Sequence, residues 1–223
     1  MARIETEPVR KTGNIASDTI VTTKKYCQIV CFNLEAIIHL EKWAEAEGFI
    51  REISAMSDDI DIHSTVADII LTSAQVPHDY LIRSLQVLVI HINSTKLPGY
   101  IRCIFDICIH NHETNTALLP TCESVLDQAY IHAQDMSTSI SSTMRDANDE
   151  QLEVYPDEEL EYLSTTSFNL AVDLYLAGRR EDAQRWARKA VGLARLIRDG
   201  CNRGRLTQVL EAKYGKWLTY GVD

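Results

Sequence analysis

Two cysteines and two histidines lie close together in the middle of the chain, with the side-chain types that bind zinc. They are Cys103, Cys108, His110 and His112, and Cys122 follows nearby. Five residues along a helix rotate the side chain by about 140°, so Cys103 and Cys108 cannot both reach one ion unless the helix breaks between them. We therefore predict buried core cysteines, histidines at a helix end and no metal. An all-α metal-binding protein that uses Cys108, His110 and His112 remains an alternative.

A second group, Asp59, Asp61 and His63, resembles the start of a calcium-binding loop. The glycine of such a loop is missing, and its twelfth position is Ile70, so acids at a helix start are the better interpretation. The chain also contains no phosphate-binding glycine loop, G-x-S-x-G, H-E-x-x-H or C-x-x-C motif. Because no nucleophile and base can be paired, the sequence predicts a protein that is not an enzyme and uses no cofactor.

The clearest structural signal is the stretch 155–197, which predicts two amphipathic helices joined by a glycine turn. Pro156 suits a first helical position, and the acids after it complement the helix dipole. Apolar residues recur at steps of three, four and seven on both sides of Gly178. The spacing matches a tetratricopeptide repeat (TPR). The residues predicted to form the repeat core are Ala171, Leu174, Gly178, Ala183, Trp186, Ala187 and Ala190. An ordinary helical hairpin inside another all-α domain is the alternative.

Prolines punctuate the remaining chain, at 77, 98, 120 and 156, and each predicts the start of a helix. The fold class predicted is all-α, a TPR-like α-solenoid of antiparallel helix pairs with a C-terminal capping helix. The predicted regions are a flexible N-terminal segment (1–24), a helical-repeat region (25–136) whose first helix ends at Gly48, a polar mobile loop (137–154), the TPR-like repeat (155–197) and the capping helix (198–223).

Composition limits the class of protein further. The 223 residues carry a net charge of −10, yet residues 179–216 contain eleven Lys and Arg against four Asp and Glu. This basic end could touch an acidic partner, the acidic part of its own chain or a second copy, or it could be a solvated helix face. Direct nucleic-acid binding is disfavoured, because no stacking aromatics are interleaved with the cations. We expect no signal peptide and no membrane span, and we interpret the six cysteines as reduced core residues of a cytosolic or nuclear protein.

The first helix of a TPR pair lines the concave groove, so that helix supplies the predicted partner-binding residues. The residues at the groove positions, which we predict to bind a partner, are Thr165, Phe168, Asn169, Val172 and Tyr175. An asparagine beside an aromatic ring can bind a partner's backbone through its donor and its acceptor. The alternative is that Phe168 and Tyr175 pack on the preceding helix and that Asn169 satisfies a local carbonyl. Asp173 is expected to pair with Arg179 or Arg180, or to bond across to the next helix.

These residues also carry a family resemblance. The stretch contains an acidic helix start, an aromatic-Asn pair, a D-L-Y triplet, and a tryptophan followed by alanines. These features resemble the C-terminal repeat of the meiotic Zip-four (sporulation-twenty-two, SPO22-like) family. They stand here at 159–161, Phe168 with Asn169, 173–175, and Trp186 with Ala187, Ala190 and Ala194. The similarity extends over residues 97–218.

The resemblance implies a nuclear, chromosome-associated scaffold that promotes crossover formation and the synaptonemal complex at meiosis. Its partners would be other proteins, whose peptide or helix docks in the repeat groove. Members of that family are several times longer, so the chain would correspond to the C-terminal part of a longer superhelix. A generic cytosolic helical-repeat adaptor unrelated to meiosis remains the alternative.

Overall fold

A computed structural model describes residues 12–73, 76–92, 94–143, 154–198 and 203–219. Within these ranges the chain forms nine helices and no strand, so the all-α prediction is confirmed. The helices are α1 (Thr12–His39), α2 (Trp43–Met56), α3 (Ile60–Thr72), α4 (His78–Val89), α5 (Leu97–Asn111), α6 (Leu118–Thr143), α7 (Asp157–Leu176), α8 (Arg180–Ala194) and α9 (Arg203–Thr219). None of the helices in these ranges has both the length and the hydrophobicity of a membrane span.

The four prolines lie at helix starts, as predicted. Pro77 and Pro156 are the residues immediately before α4 and α7. Pro98 is the second residue of α5 and Pro120 the third of α6. A proline fits these positions because its missing N–H would have no intrahelical acceptor there.

The chain divides into two compact units, Met1–Ile92 and Asn93–Asp223, so the boundary falls inside the region 25–136 that was predicted as one repeat region. In the first unit α1 packs against α2 and α3, and α4 packs against α2 and α3. Asp59 caps α3 by accepting a hydrogen bond from the Asp61 amide at 3.0 Å. The nearby ring of His63 is buried and stacks on His91 at 4.6 Å between centroids. The acids thus stand at a helix start, as interpreted from the sequence.

The first helix ends earlier than predicted. Gly48 lies inside α2, whereas α1 stops at His39. Glu41 adopts a left-handed φ of 59°, and the amides of Glu41 and Lys42 donate to the carbonyls of Ile38 and Ile37. This is the hydrogen-bond pattern of a Schellman motif, with glutamate at the position where glycine is usual.

Two predicted irregular regions are partly helical. α1 extends back to Thr12, into the segment 1–24, because a helix that is already packed propagates at little cost. α6 extends to Thr143, into the predicted loop 137–154. The hydroxyls of Ser137 and Thr138 donate to carbonyls one turn earlier, which satisfies these polar side chains within the helix. Residues 1–11 and 144–153 lie outside the described ranges.

In the second unit α7 and α8 form a hairpin. The Ser164 hydroxyl, near the start of α7, donates to the carbonyl of Ala190, near the end of α8, at 2.8 Å. Asp157, at the first residue of α7, pairs with Arg198 beyond the end of α8 at 3.2 Å. α8 therefore runs back along α7. The turn is a second Schellman motif, with Gly178 at φ 79°.

The small residues of the hairpin let the helices approach closely. Ala171, Ala183, Ala187 and Ala190 have no exposed surface, and Trp186 fills the space beside them without any exposure. Leu174 is also buried. The residues predicted to form the repeat core are thus buried, except Gly178, which forms the exposed turn.

The hairpin packs on the pair formed by α5 and α6. Arg102 and Asp106 of α5 contact Glu159 and Tyr162 of α7, so these two helices run in the same direction. Glu123 and Asp127 of α6 pair with Arg185 and Lys189 of α8 in the same order. The first helices of the two pairs, α5 and α7, thus lie side by side, and so do the second helices, α6 and α8.

The last helix, α9, packs on α8. Its Thr207 hydroxyl donates to the Ala194 carbonyl at 3.0 Å, and Glu211 pairs with Arg195 at 2.8 Å. Leu210 is buried, whereas Val209 is exposed. α9 therefore covers part of the outer surface of α8.

Candidate protein-binding surface

The outer face of α7 carries most of the predicted binding residues. Thr165 and Asn169 are exposed, one helical turn apart, and Val172 and Tyr175 are half-buried at the edge of the same face. Asn169 is exposed, and its amide makes no hydrogen bond within the described part of the chain. These four residues form what we name the α7 face.

Phe168 does not belong to this face, and its predicted exposure is wrong. Only 2% of its surface is exposed. Phe168 lies about 100° around the helix from Asn169, which turns its ring toward the buried side. This burial agrees with the alternative interpretation, in which the Phe168 ring packs on the preceding helix instead of facing a partner. The Arg179 guanidinium pairs with Asp182 at 2.6 Å rather than with Asp173 as expected.

A polar cluster that the sequence did not reveal borders the α7 face. The Arg102 guanidinium lies 4.0 Å from the ring centroid of Tyr162, which is the geometry of a cation–π contact. The Tyr162 hydroxyl donates to the Asp106 carboxylate at 2.6 Å, and Arg102 also pairs with Glu159 at 3.4 Å. Burial, together with this hydrogen bond, raises the pKa of Tyr162 above its ordinary value. The cluster fixes α5 beside α7 and so holds the α7 face in place.

Two of the four cations of α8, Arg185 and Lys189, are engaged by acids of the same chain. Arg185 donates to Glu123 at 2.8 Å and also binds Asp182, and Lys189 pairs with Asp127. The hydrogen bonds to Glu123 contribute most to raising the pKa of Arg185. The basic end therefore does contact acidic residues of its own chain.

The chain was compared with known proteins. Protein-family models, curated proteins and solved structures give no match. The meiotic family resemblance and the TPR assignment therefore rest on the residues quoted for them.

The residues with zinc-ligand side chains are not brought together at one point. His110 and His112 each hydrogen-bond through Nδ1 to a carbonyl of their own helix, at 2.7 and 2.5 Å. Cys108 and Cys122 are buried, and the Cys122 thiol donates to the Phe105 carbonyl at 3.9 Å, whereas Cys103 is half-buried. Among the described residues no cluster of three or more His, Cys, Asp or Glu has the geometry to hold a metal ion.

Proposed function

We propose that this chain is a non-enzymatic scaffold that binds a segment of another protein along the α7 face. Following the resemblance to the meiotic Zip-four family, it acts in the nucleus on meiotic chromosomes, where it supports crossover formation and synapsis by gathering partner proteins. The observation that carries the proposal is the stacking of α7 beside α5 and of α8 beside α6.

This stacking is what a TPR-like α-solenoid requires. Each helix pair adds one layer, and its two helices contact the corresponding helices of the neighbouring layer. The pairs Arg102–Glu159 and Arg185–Glu123 mark the two seams. In the first unit, contacts of α1 with α3 and of α2 with α4 repeat the same relation. First helices that lie side by side present a common surface, and such surfaces are where solenoids bind peptides.

The α7 face has the chemistry for backbone recognition. The Asn169 amide can donate to a partner's carbonyl and accept from its N–H at the same time. Thr165 adds a hydroxyl one turn away, and the half-buried Val172 and Tyr175 supply apolar area. A partner segment that is extended or helical can use all four side chains, because they follow one side of the helix.

The test is a paired capture experiment from meiotic cell extract with the wild-type chain and Asn169→Ala. Arg188→Ala serves as the control, because Arg188 is exposed on α8, away from the α7 face. Chromosome-axis or crossover proteins should be captured by the wild type and the control and lost with Asn169→Ala. Capture of the same proteins by all three chains would refute the site. If the proteins lost with Asn169→Ala include no chromosome proteins, the result would favour the generic adaptor instead.

A further inference from the structure

A groove runs between α1 and α3 in the first unit. It contains two adjacent hollows of about 660 and 520 Å³, both lined by Phe32 and Glu35. Ile69 and Asp61 of α3 form part of the opposite wall, and the groove extends from Lys24 to His39 along α1. Both helices are the first of their pairs.

Exposed apolar side chains lie on α1, and one of them, Phe32, lines the groove. Phe32 is 71% exposed and Ile29 is 57% exposed, whereas Val30 and Leu34 of the same helix are buried. α1 is therefore apolar on its core side and also on part of its outer side. A large exposed apolar side chain beside a groove is the usual form of an anchoring site for a partner.

The charge of the groove is negative. Glu35 and Asp61 line it, and neither carboxylate forms an ion pair with a described residue. Lys24, the cation in the lining, pairs with Asp59 at 3.6 Å. The described residues 12–92 carry eleven Asp and Glu against five Lys and Arg, so the surroundings reinforce the negative potential.

We propose that this groove binds a basic, amphipathic segment of a partner protein, with an apolar side chain against Phe32 and lysines or arginines beside Glu35 and Asp61. The fifteen-residue separation between Lys24 and His39 corresponds to about 22 Å of helix, which an extended segment of about seven residues spans. A symmetric dimer through the same groove would bring the carboxylates of two copies together, and such like-charge contact is unfavourable. The occupant is therefore a cationic segment of another protein.

The test measures fluorescence anisotropy of a labelled peptide in which lysine and leucine alternate over about eight residues, added to the full chain. Phe32→Ala should raise the Kd about tenfold, as loss of an aromatic anchor does, and Glu35→Gln about threefold. Ile90→Ala and Glu45→Gln are the matched controls, because both side chains are exposed and neither lines the groove. Asn169→Ala should leave this affinity unchanged, which separates the groove from the α7 face.

Three outcomes would overturn the proposal. The first is equal binding of a peptide with glutamate in place of lysine. The second is a Kd that Phe32→Ala changes no more than Ile90→Ala does. The third is a dimer, detected by light scattering, that Phe32→Ala dissociates, since this would make the groove a contact between copies of the chain.

Discussion

Phe168 and Asn169 are adjacent in sequence, yet their truncation should have opposite consequences. The Phe168 ring is 2% exposed, and replacing a buried phenylalanine by alanine costs about 3–5 kcal/mol of unfolding free energy. The exposed Asn169 makes no hydrogen bond within the described residues, so Asn169→Ala should change stability by less than about 0.5 kcal/mol.

Urea unfolding followed by circular dichroism measures both changes. With an m-value of about 2 kcal/mol per M, Phe168→Ala should lower the midpoint of the second unit by roughly 2 M. Phe168→Leu keeps most of the apolar volume and should lose less than about 1.5 kcal/mol. Partner capture should follow the reverse order, with Asn169→Ala the more damaging variant wherever both chains are folded.

Two results would refute this reasoning. A Phe168→Ala midpoint within about 0.3 M of the wild type, less than 1 kcal/mol at the same m-value, would mean that the ring is not part of the core. A loss above about 1 kcal/mol for Asn169→Ala would mean that its amide has a structural partner, since exposed sites away from such features change little.

Four further predictions concern the turns and the charges. Gly178→Ala should destabilise the hairpin by about 1–2 kcal/mol, because residue 178 has a positive φ that alanine adopts at a cost. A steric clash does not contribute, because nothing lies within 4 Å of the added Cβ. Glu41→Gly should stabilise the first unit by a similar amount at most, and thermal melts of both variants check the pair. A double-mutant cycle on Glu123 and Arg185 should give about 0.5–1 kcal/mol, decreasing with salt, because Arg185 is 48% exposed. Hydrogen bonds from two arginines lower the pKa of Asp182. The contribution of the Asp182 carboxylate to folding stability is therefore present at neutral pH and is lost as the pH falls through that lowered pKa. The stability difference between wild type and Asp182→Asn should shrink below about pH 4.

The helix starts and the hairpin were predictable because their causes are local. Pro156 and Gly178 act through their own backbone conformations, and the periodic alanines around Ala187 mark a buried side of one helix. The end of α1 was not predictable in the same way. Glu41 occupies a left-handed position that a glycine normally marks, so the nearest glycine, Gly48, indicated the wrong residue.

The candidate surface was only partly predictable for a different reason. A helical pattern orders side chains around α7 but does not show which flank a neighbouring element covers, and Phe168 lies on a covered flank. The cluster of Arg102, Asp106 and Tyr162 joins positions 56 or more residues apart, and no local spacing reports such a contact.

The paired charges between α6 and α8 limit how this part of the sequence can change during evolution. Arg185 and Lys189 are four residues apart, as are Glu123 and Asp127, so both pairs form on facing sides of the two helices. One residue inserted between Arg185 and Lys189 would rotate the lysine by about 100° and remove it from Asp127. Insertions and deletions within these helices should therefore survive mainly in steps close to a whole turn, and changes of length should accumulate in the connections between helices.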